Sequence, residues 1–228
     1  MKKIILIIAS LLALAACAPS DAQLVEKGWV FQPTENGFVE YAELPAPIDT
    51  EKTYKPSADA EPVACKEGVY SSDCSSINKD NLIDFMGRND VFYIDLRDYN
   101  NYAEKHIRGF EVLPYFGLIF NAEAHTDATK VQLFGGTPVA PVAVYKESAA
   151  LLKVMFPQDR PLFIMCQSGA RVNWLMQILA ANGYDMSKVY NVGGMAQYTD
   201  SKYAPFITDT AEFKVQVTYG IEGLTRNN

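Results

Sequence analysis

The apolar run Leu162-Phe-Ile-Met165 passes straight into Cys166-Gln-Ser-Gly-Ala-Arg171. From Ala170 to Ala181 it is followed by Val172, Leu175, Met176 and Leu179 at helical spacing, and Asn182-Gly183 stops the pattern. A strand without a polar face must be covered on both sides, which demands a sheet with layers above and below it. The loop between strand and helix opens with a cysteine and closes with an arginine. Backbone N–H groups, the N-terminus of a helix and a guanidinium converging on one sulfur favour a thiolate or a bound anion. Cys166 is therefore the candidate nucleophile and Arg171 its cationic partner, with Gln167, Ser168, Gly169 and Ala170 forming the cradle between them.

The surrounding chain supplies the layers. Val91-Phe-Tyr-Ile-Asp-Leu96 is a second β-prone run of the kind buried in a parallel sheet, and a helix is expected over 99–105. Phe110 to Pro114 reads as extended, Glu147 to Phe156 as a helix ended by Pro157, and Val189-Tyr-Asn-Val192 as a strand entering Gly193-Gly194. Leu82, Ile83, Phe85 and Met86 predict a further helix between Ser76 and Gly87. This alternation argues for an α/β fold, an open and mainly parallel sheet with helices on both faces. Residues 117–145 carry Gly135-Gly136, Pro138 and Pro141, which predict loops around small extended pieces. Prolines at 33, 45, 47, 56 and 62 exclude long helices from 24–64, leaving an extended arm in which Trp29–Phe31 and Phe38–Tyr41 form a hairpin. The β-prone run Phe213–Tyr219 is expected to pair with that arm.

The first 16 residues are read as a leader. Lys2 and Lys3 precede the apolar stretch Ile4–Leu14, which is too short for the about 20 residues that span a bilayer, so it reads as an export signal. Its ending, Leu14-Ala-Ala-Cys17, resembles the lipobox of bacterial lipoproteins. That resemblance implies acylation of Cys17 and an extracytoplasmic protein anchored to a bacterial membrane through lipid. The net charge of −7 argues against nucleic acid as a partner, since binding it requires a basic stripe to replace counterions.

Export places the remaining cysteines in a disulfide-permissive compartment. Cys65 and Cys74, in a polar and turn-prone segment, are expected to pair, adding about 2 to 3 kcal/mol by loop closure. The competing reading, half of a metal site, lacks the spacing and has only His106 and His125 to draw on. No metal or cofactor is expected. Cys166 is left as a lone thiol, either buried and inert or shielded and used.

Residues 75–203 resemble a rhodanese-like domain through five elements in order. They are Tyr93-Ile-Asp-Leu-Arg97, Tyr102-Ala-Glu-Lys-His-Ile-Arg-Gly109, Pro114, Cys166-Gln-Ser-Gly-Ala-Arg171 and Val192-Gly-Gly194. Three departures stand out: Lys105 where glycine is usual, Tyr198 where tryptophan is common, and a long insertion around 117–157. The resemblance implies a sulfurtransferase or persulfide carrier. Its partners would be a small sulfur-containing anion or persulfide as donor and a thiol, small molecule or protein, as acceptor. Phosphatases that use a cysteine-to-arginine loop have five intervening residues and a wider cradle; here there are four, which favours sulfur over a tetrahedral oxyanion.

The organisation expected is a leader (1–16), a tether and arm with a disulfide loop (17–74), the domain (75–203) and a C-terminal extension (204–228). Asp95 and Arg97 are assigned to a buried polar network supporting the loop, and His106 to structure, because a loop-stabilised thiolate needs no base. His125 has no motif around it, and Trp174 is assigned to packing. The competing functional readings are a non-catalytic binding module and a redox sensor in which Cys166 is oxidised reversibly; residue by residue, Cys166 could be a buried core thiol and Arg171 the partner of a surface carboxylate.

Overall fold

The computed structural model describes residues 29–33, 39–43, 65–88, 90–209 and 216–227. The leader, Cys17 and the tether lie outside the described residues. Strands β1 (Trp29–Pro33) and β2 (Val39–Glu43) pair antiparallel, Trp29 opposite Glu43, which is the hairpin expected from the two runs flanking Asn36-Gly37.

The centre is a parallel four-stranded sheet built from β3 (Phe92–Asp95), β5 (Glu111–Val112), β8 (Leu162–Cys166) and β9 (Val189–Gly194), in the order β5-β3-β8-β9. Between these run helix α1 (Tyr99–Glu104), the short β4 (His106–Ile107), the hairpin β6 (Phe134–Thr137) and β7 (Ala140–Ala143), helix α2 (Ser148–Met155) and helix α3 (Ala170–Ala181). Every residue of β8 is buried, as its unbroken apolar run demands. Burying each such side chain contributes about 1.5–3 kcal/mol.

The pleat sorts the core into two clusters. Ile94, Leu162, Ile164, Cys166 and Val189 share one with Leu152 of α2 and Val172, Leu175, Met176, Ile178 and Leu179 of α3. Tyr93, Phe163, Met165, Tyr190 and Val192 share the other with Leu82, Met195, Tyr198 and Tyr203. The second cover contains 3-10 turns, Leu82–Phe85, Met195–Gln197 and Ser201–Phe206. The helix expected between Ser76 and Gly87 is thus only the first of these turns. Local polar bonds explain the difference. Asn78 donates from Nδ2 to the Ser75 carbonyl, Asn81 donates from Nδ2 to the Ser76 carbonyl, and the Asn78 and Asp80 N–H groups donate to Asn81 Oδ1 and Asn78 Oδ1. Side chains that bond their own backbone offer an alternative to the helical ladder.

The chain continues past 203 into β10 (Ile207–Thr208), which pairs antiparallel with β4. Of the run expected to pair with the arm, the described residues 216–219 are not strand. The tail instead crosses the insertion: Arg226 bridges to Tyr145, its guanidinium donates to the carbonyls of Ala124, Asp127 and Lys130, and Tyr219 lies over Gly117. None of the helices among the described residues is long and apolar enough to cross a membrane.

Candidate active site

β8 delivers Cys166 at its C-terminal end, and Gly169 turns the chain into α3 with a φ of +91°, a left-handed conformation that glycine adopts without penalty. In this turn the Gly169 N–H donates to Cys166 Sγ at 3.1 Å. The register between β8 and β9 shifts so that Ile164 faces Asn191 while Cys166 faces Gly194. That irregularity brings the Gly193-Gly194 backbone against the loop, and the Ala196 N–H donates to the Gln167 carbonyl at 3.2 Å. Gln167, Ser168 and Ala170 are exposed, whereas Cys166 is only 1% exposed and packs among the core residues.

Arg171 is half-buried. It donates from Nη1 to the Leu96 carbonyl at 3.2 Å, and its guanidinium carbon stands 5.9 Å from the ring centroid of Phe116. Among the described residues it makes no salt bridge, so none of them forms the surface ion pair considered from sequence. Phe116 belongs to the π-helical turn Tyr115–Ile119 that opens the insertion, and its ring centroid lies 6.4 Å from that of Trp174. Both rings are exposed, Phe116 at 55% and Trp174 at 39%. The part of the insertion that meets the loop's arginine is therefore this first turn. Trp174, assigned from sequence to packing, presents part of its ring to solvent there.

Asp95 and Arg97 form a buried polar pair, but its bonds run to α1 and not to the Cys166 loop that the pair was expected to support. Arg97 donates from Nε to both Asp95 oxygens, and from Nη2 to Oδ2 at 2.6 Å, with the two residues 0% and 2% exposed. The rest of the guanidinium goes to the carbonyls of Asn101 and Lys105, so the pair clamps the end of α1 to the end of β3. Their contribution is to the scaffold. Lys105 itself is extended, with φ −163°, which any residue adopts, so glycine is not required there. Tyr198 is fully buried, donates its hydroxyl to the Val192 carbonyl and packs edge-on against Tyr203.

His106 has a structural setting. Its Nδ1 lies 2.8 Å from the Tyr102 carbonyl and its ring stacks on Tyr102 at 4.0 Å; burial is the main cause holding its pKa below the usual histidine value. His125 accepts the Gly136 N–H at Nδ1, fastening the 121–130 loop to β6. Among the described residues no group of His, Cys, Asp and Glu is arranged to hold a metal ion.

Cys65 and Cys74 are joined, and the segment they close packs behind the loop. Tyr70 in that segment is held at both backbone groups: its N–H donates to Asn173 Oδ1 at 3.0 Å, and its carbonyl accepts from Asn191 Nδ2 at 2.6 Å. Beside it lies a cleft of about 350 Å³, lined by the disulfide segment with Met176, Met186, Val189 and Asn191; neither Cys166 nor Arg171 lines it. Sequence reasoning missed Tyr70, Asn173, Asn191 and Phe116. Asn191 alone left a signal, an amide inside the otherwise buried run Val-Tyr-Asn-Val, where an unpartnered polar group would be costly.

The chain matches no family model, no curated protein and no solved structure.

Proposed function

We propose that this protein is a rhodanese-like sulfurtransferase or persulfide carrier, exported and held at a bacterial membrane through acylated Cys17, with Cys166 as its nucleophile. The observation that carries the reading is the backbone N–H of Gly169 on Cys166 Sγ at 3.1 Å, at the mouth of α3, with four residues between that sulfur and the guanidinium of Arg171. Hydrogen bonds to the charged form of a thiol favour it, and the positive end of a helix adds to them. Arg171, with no carboxylate partner among the described residues, is available for an anionic donor.

The Cys166 thiolate attacks the outer sulfur of a donor such as thiosulfate. A new S–S bond forms, the donor's own S–S bond breaks, and sulfite leaves with the electron pair. An acceptor thiolate then attacks the outer sulfur of the Cys166 persulfide and regenerates the Cys166 thiolate.

A second reading rests on the burial of Cys166 at 1% exposure, which suits a non-catalytic binding module in which the thiol is sealed. Intact-mass analysis after exposure to thiosulfate or a polysulfide separates the two. The sulfurtransferase gains one sulfur atom that cyanide removes, and Cys166→Ser does not. Wild type and Cys166→Ser behaving alike sinks the sulfurtransferase. The anchor has its own test: Cys17→Ser moves the protein from the membrane fraction to the soluble one.

A further inference from the structure

β9 is apolar or aromatic around one buried amide, Asn191, which is 2% exposed. Its Nδ2 donates to the carbonyls of Tyr70 at 2.6 Å and Gly169 at 3.1 Å, and its Oδ1 accepts the Gly193 N–H at 3.0 Å. Two carbonyls and one N–H leave no choice of amide orientation, because a flipped amide would oppose like groups at all three contacts. Gly169 stands between this amide and the sulfur. Its N–H is on Cys166 Sγ, while its carbonyl receives Asn191 Nδ2 and the Asn173 N–H, the latter at 3.1 Å. The disulfide-closed segment backs onto the same residue: a Cβ on Gly169 would meet Ser72 Oγ at 3.3 Å.

We propose that Asn191 is a positioning residue for Cys166, acting through Gly169, and that it ties the reactivity of that thiol to the segment closed by Cys65 and Cys74. The proposal rests on the reading of Cys166 as a nucleophile. The left-handed Gly169 has no side chain to anchor it, so its orientation depends on what holds its carbonyl. Asn191 holds that carbonyl and the Tyr70 carbonyl with one nitrogen, making the loop and the segment a single hydrogen-bonded unit. The cross-link limits the conformations open to the segment when it is undocked and so favours Tyr70 in place. Loss of the amide leaves the Gly169 carbonyl held by the Asn173 N–H alone, and loss of the cross-link loosens the Tyr70 end of the same unit; either gives Gly169 room to turn its N–H away from the sulfur.

The test is the pH–rate profile for alkylation of Cys166 by a small uncharged haloacetamide, read at the Cys166 peptide by mass spectrometry on the full chain. Asn191→Ala and the pair Cys65→Ser/Cys74→Ser are each expected to displace the profile to higher pH. The rate at neutral pH, relative to the alkaline plateau, then falls about tenfold through loss of one hydrogen bond to a charged group. Combining the three substitutions adds little, since they act through one link. A merely structural role would change the plateau or the melting temperature and leave the position of the profile alone. A profile for Asn191→Ala that superimposes on wild type overturns the proposal. If that variant does not fold, the cross-link variant decides in the same way, because it leaves every strand residue in place. Alkylation requires no sulfur transfer, so absence of a persulfide in every protein refutes the sulfurtransferase and not this coupling. A superimposed profile beside normal persulfide formation overturns this coupling alone.

Discussion

Replacing Gly194 with alanine isolates the contact between β9 and the Cys166 loop. Gly194 has φ −144°, extended backbone that alanine adopts freely, so the effect of the substitution is steric. The added Cβ would stand 2.2 Å from Ser168 N and 2.3 Å from the carbonyl carbon and oxygen of Gln167. That is roughly 1.2 Å inside the 3.4 Å at which ordinary contact begins. All three atoms are backbone, so no side chain can swing away and the loop or the strand must move by about that distance. Overpacking of this kind costs about 1–3 kcal/mol, which a domain stable by about 5–15 kcal/mol survives. Misplacing reacting groups by about 1 Å costs about 10²-fold in rate. Gly194→Ala is therefore expected to fold, to melt at a lower temperature, and to form the Cys166 persulfide about two orders of magnitude more slowly. Gly183→Ala is the control. Gly183 has φ +78° with nothing within 4 Å of an added Cβ, so alanine there meets only the left-handed penalty of about 1–2 kcal/mol and leaves the loop alone. Persulfide formation followed by intact mass, beside circular dichroism melts, measures both. The steric reasoning is refuted if Gly194→Ala reacts as fast as Gly183→Ala, and the claim that the damage stays local is refuted if it does not fold.

Two further predictions concern the scaffold. Asp95→Ala leaves Arg97 charged and buried without its carboxylate and is expected to cost about 3–5 kcal/mol in urea unfolding, a loss below about 1 kcal/mol being incompatible with the pair's role. Stability should also fall at both ends of the pH range, for separate reasons. Burial holds the His106 pKa below its unfolded value, so the unfolded chain binds its proton first; the contribution is complete above about 6.5 and is lost as pH falls through the folded value, and His106→Gln flattens that limb. Tyr203 is pushed up to about 12, mainly by burial, so its contribution is present below about 10, where the unfolded side chain ionises, and is lost as pH rises through the folded value. Chemical denaturation across pH, with Tyr203→Phe as the alkaline comparison, checks both limbs; an unchanged curve in either variant counts against that assignment.

Much of the site was legible because it is local. The Cys166–Arg171 loop, the strand before it and the bounds of α3 are set by neighbours in the chain, and the helix runs over Ala170–Ala181 as its spacing predicts. The segment between Ser76 and Gly87 was misread for an equally local reason, since its asparagines compete with the helix and apolar spacing does not register that. The path of the C-terminal tail over 216–227 was not legible for a distant reason: the partners of Arg226 lie about a hundred residues away, and nothing in the tail names them.

The amino-acid sequence by itself determined the candidate nucleophile, the loop that carries it, the disulfide partners and the alternation of strands and helices, because each depends on residues close in the chain or on the chemistry of a single side chain. Only the tertiary structure decided what surrounds that loop. Asn191 reaches 22 residues back to Gly169 and 121 back to Tyr70, and Arg171 reaches 75 back to the Leu96 carbonyl. Such contacts exist only once parallel strands are laid side by side, since a parallel pair requires a long crossover and brings together residues that no local pattern connects. The sulfur is a property of the sequence; the N–H held against it is a property of the fold.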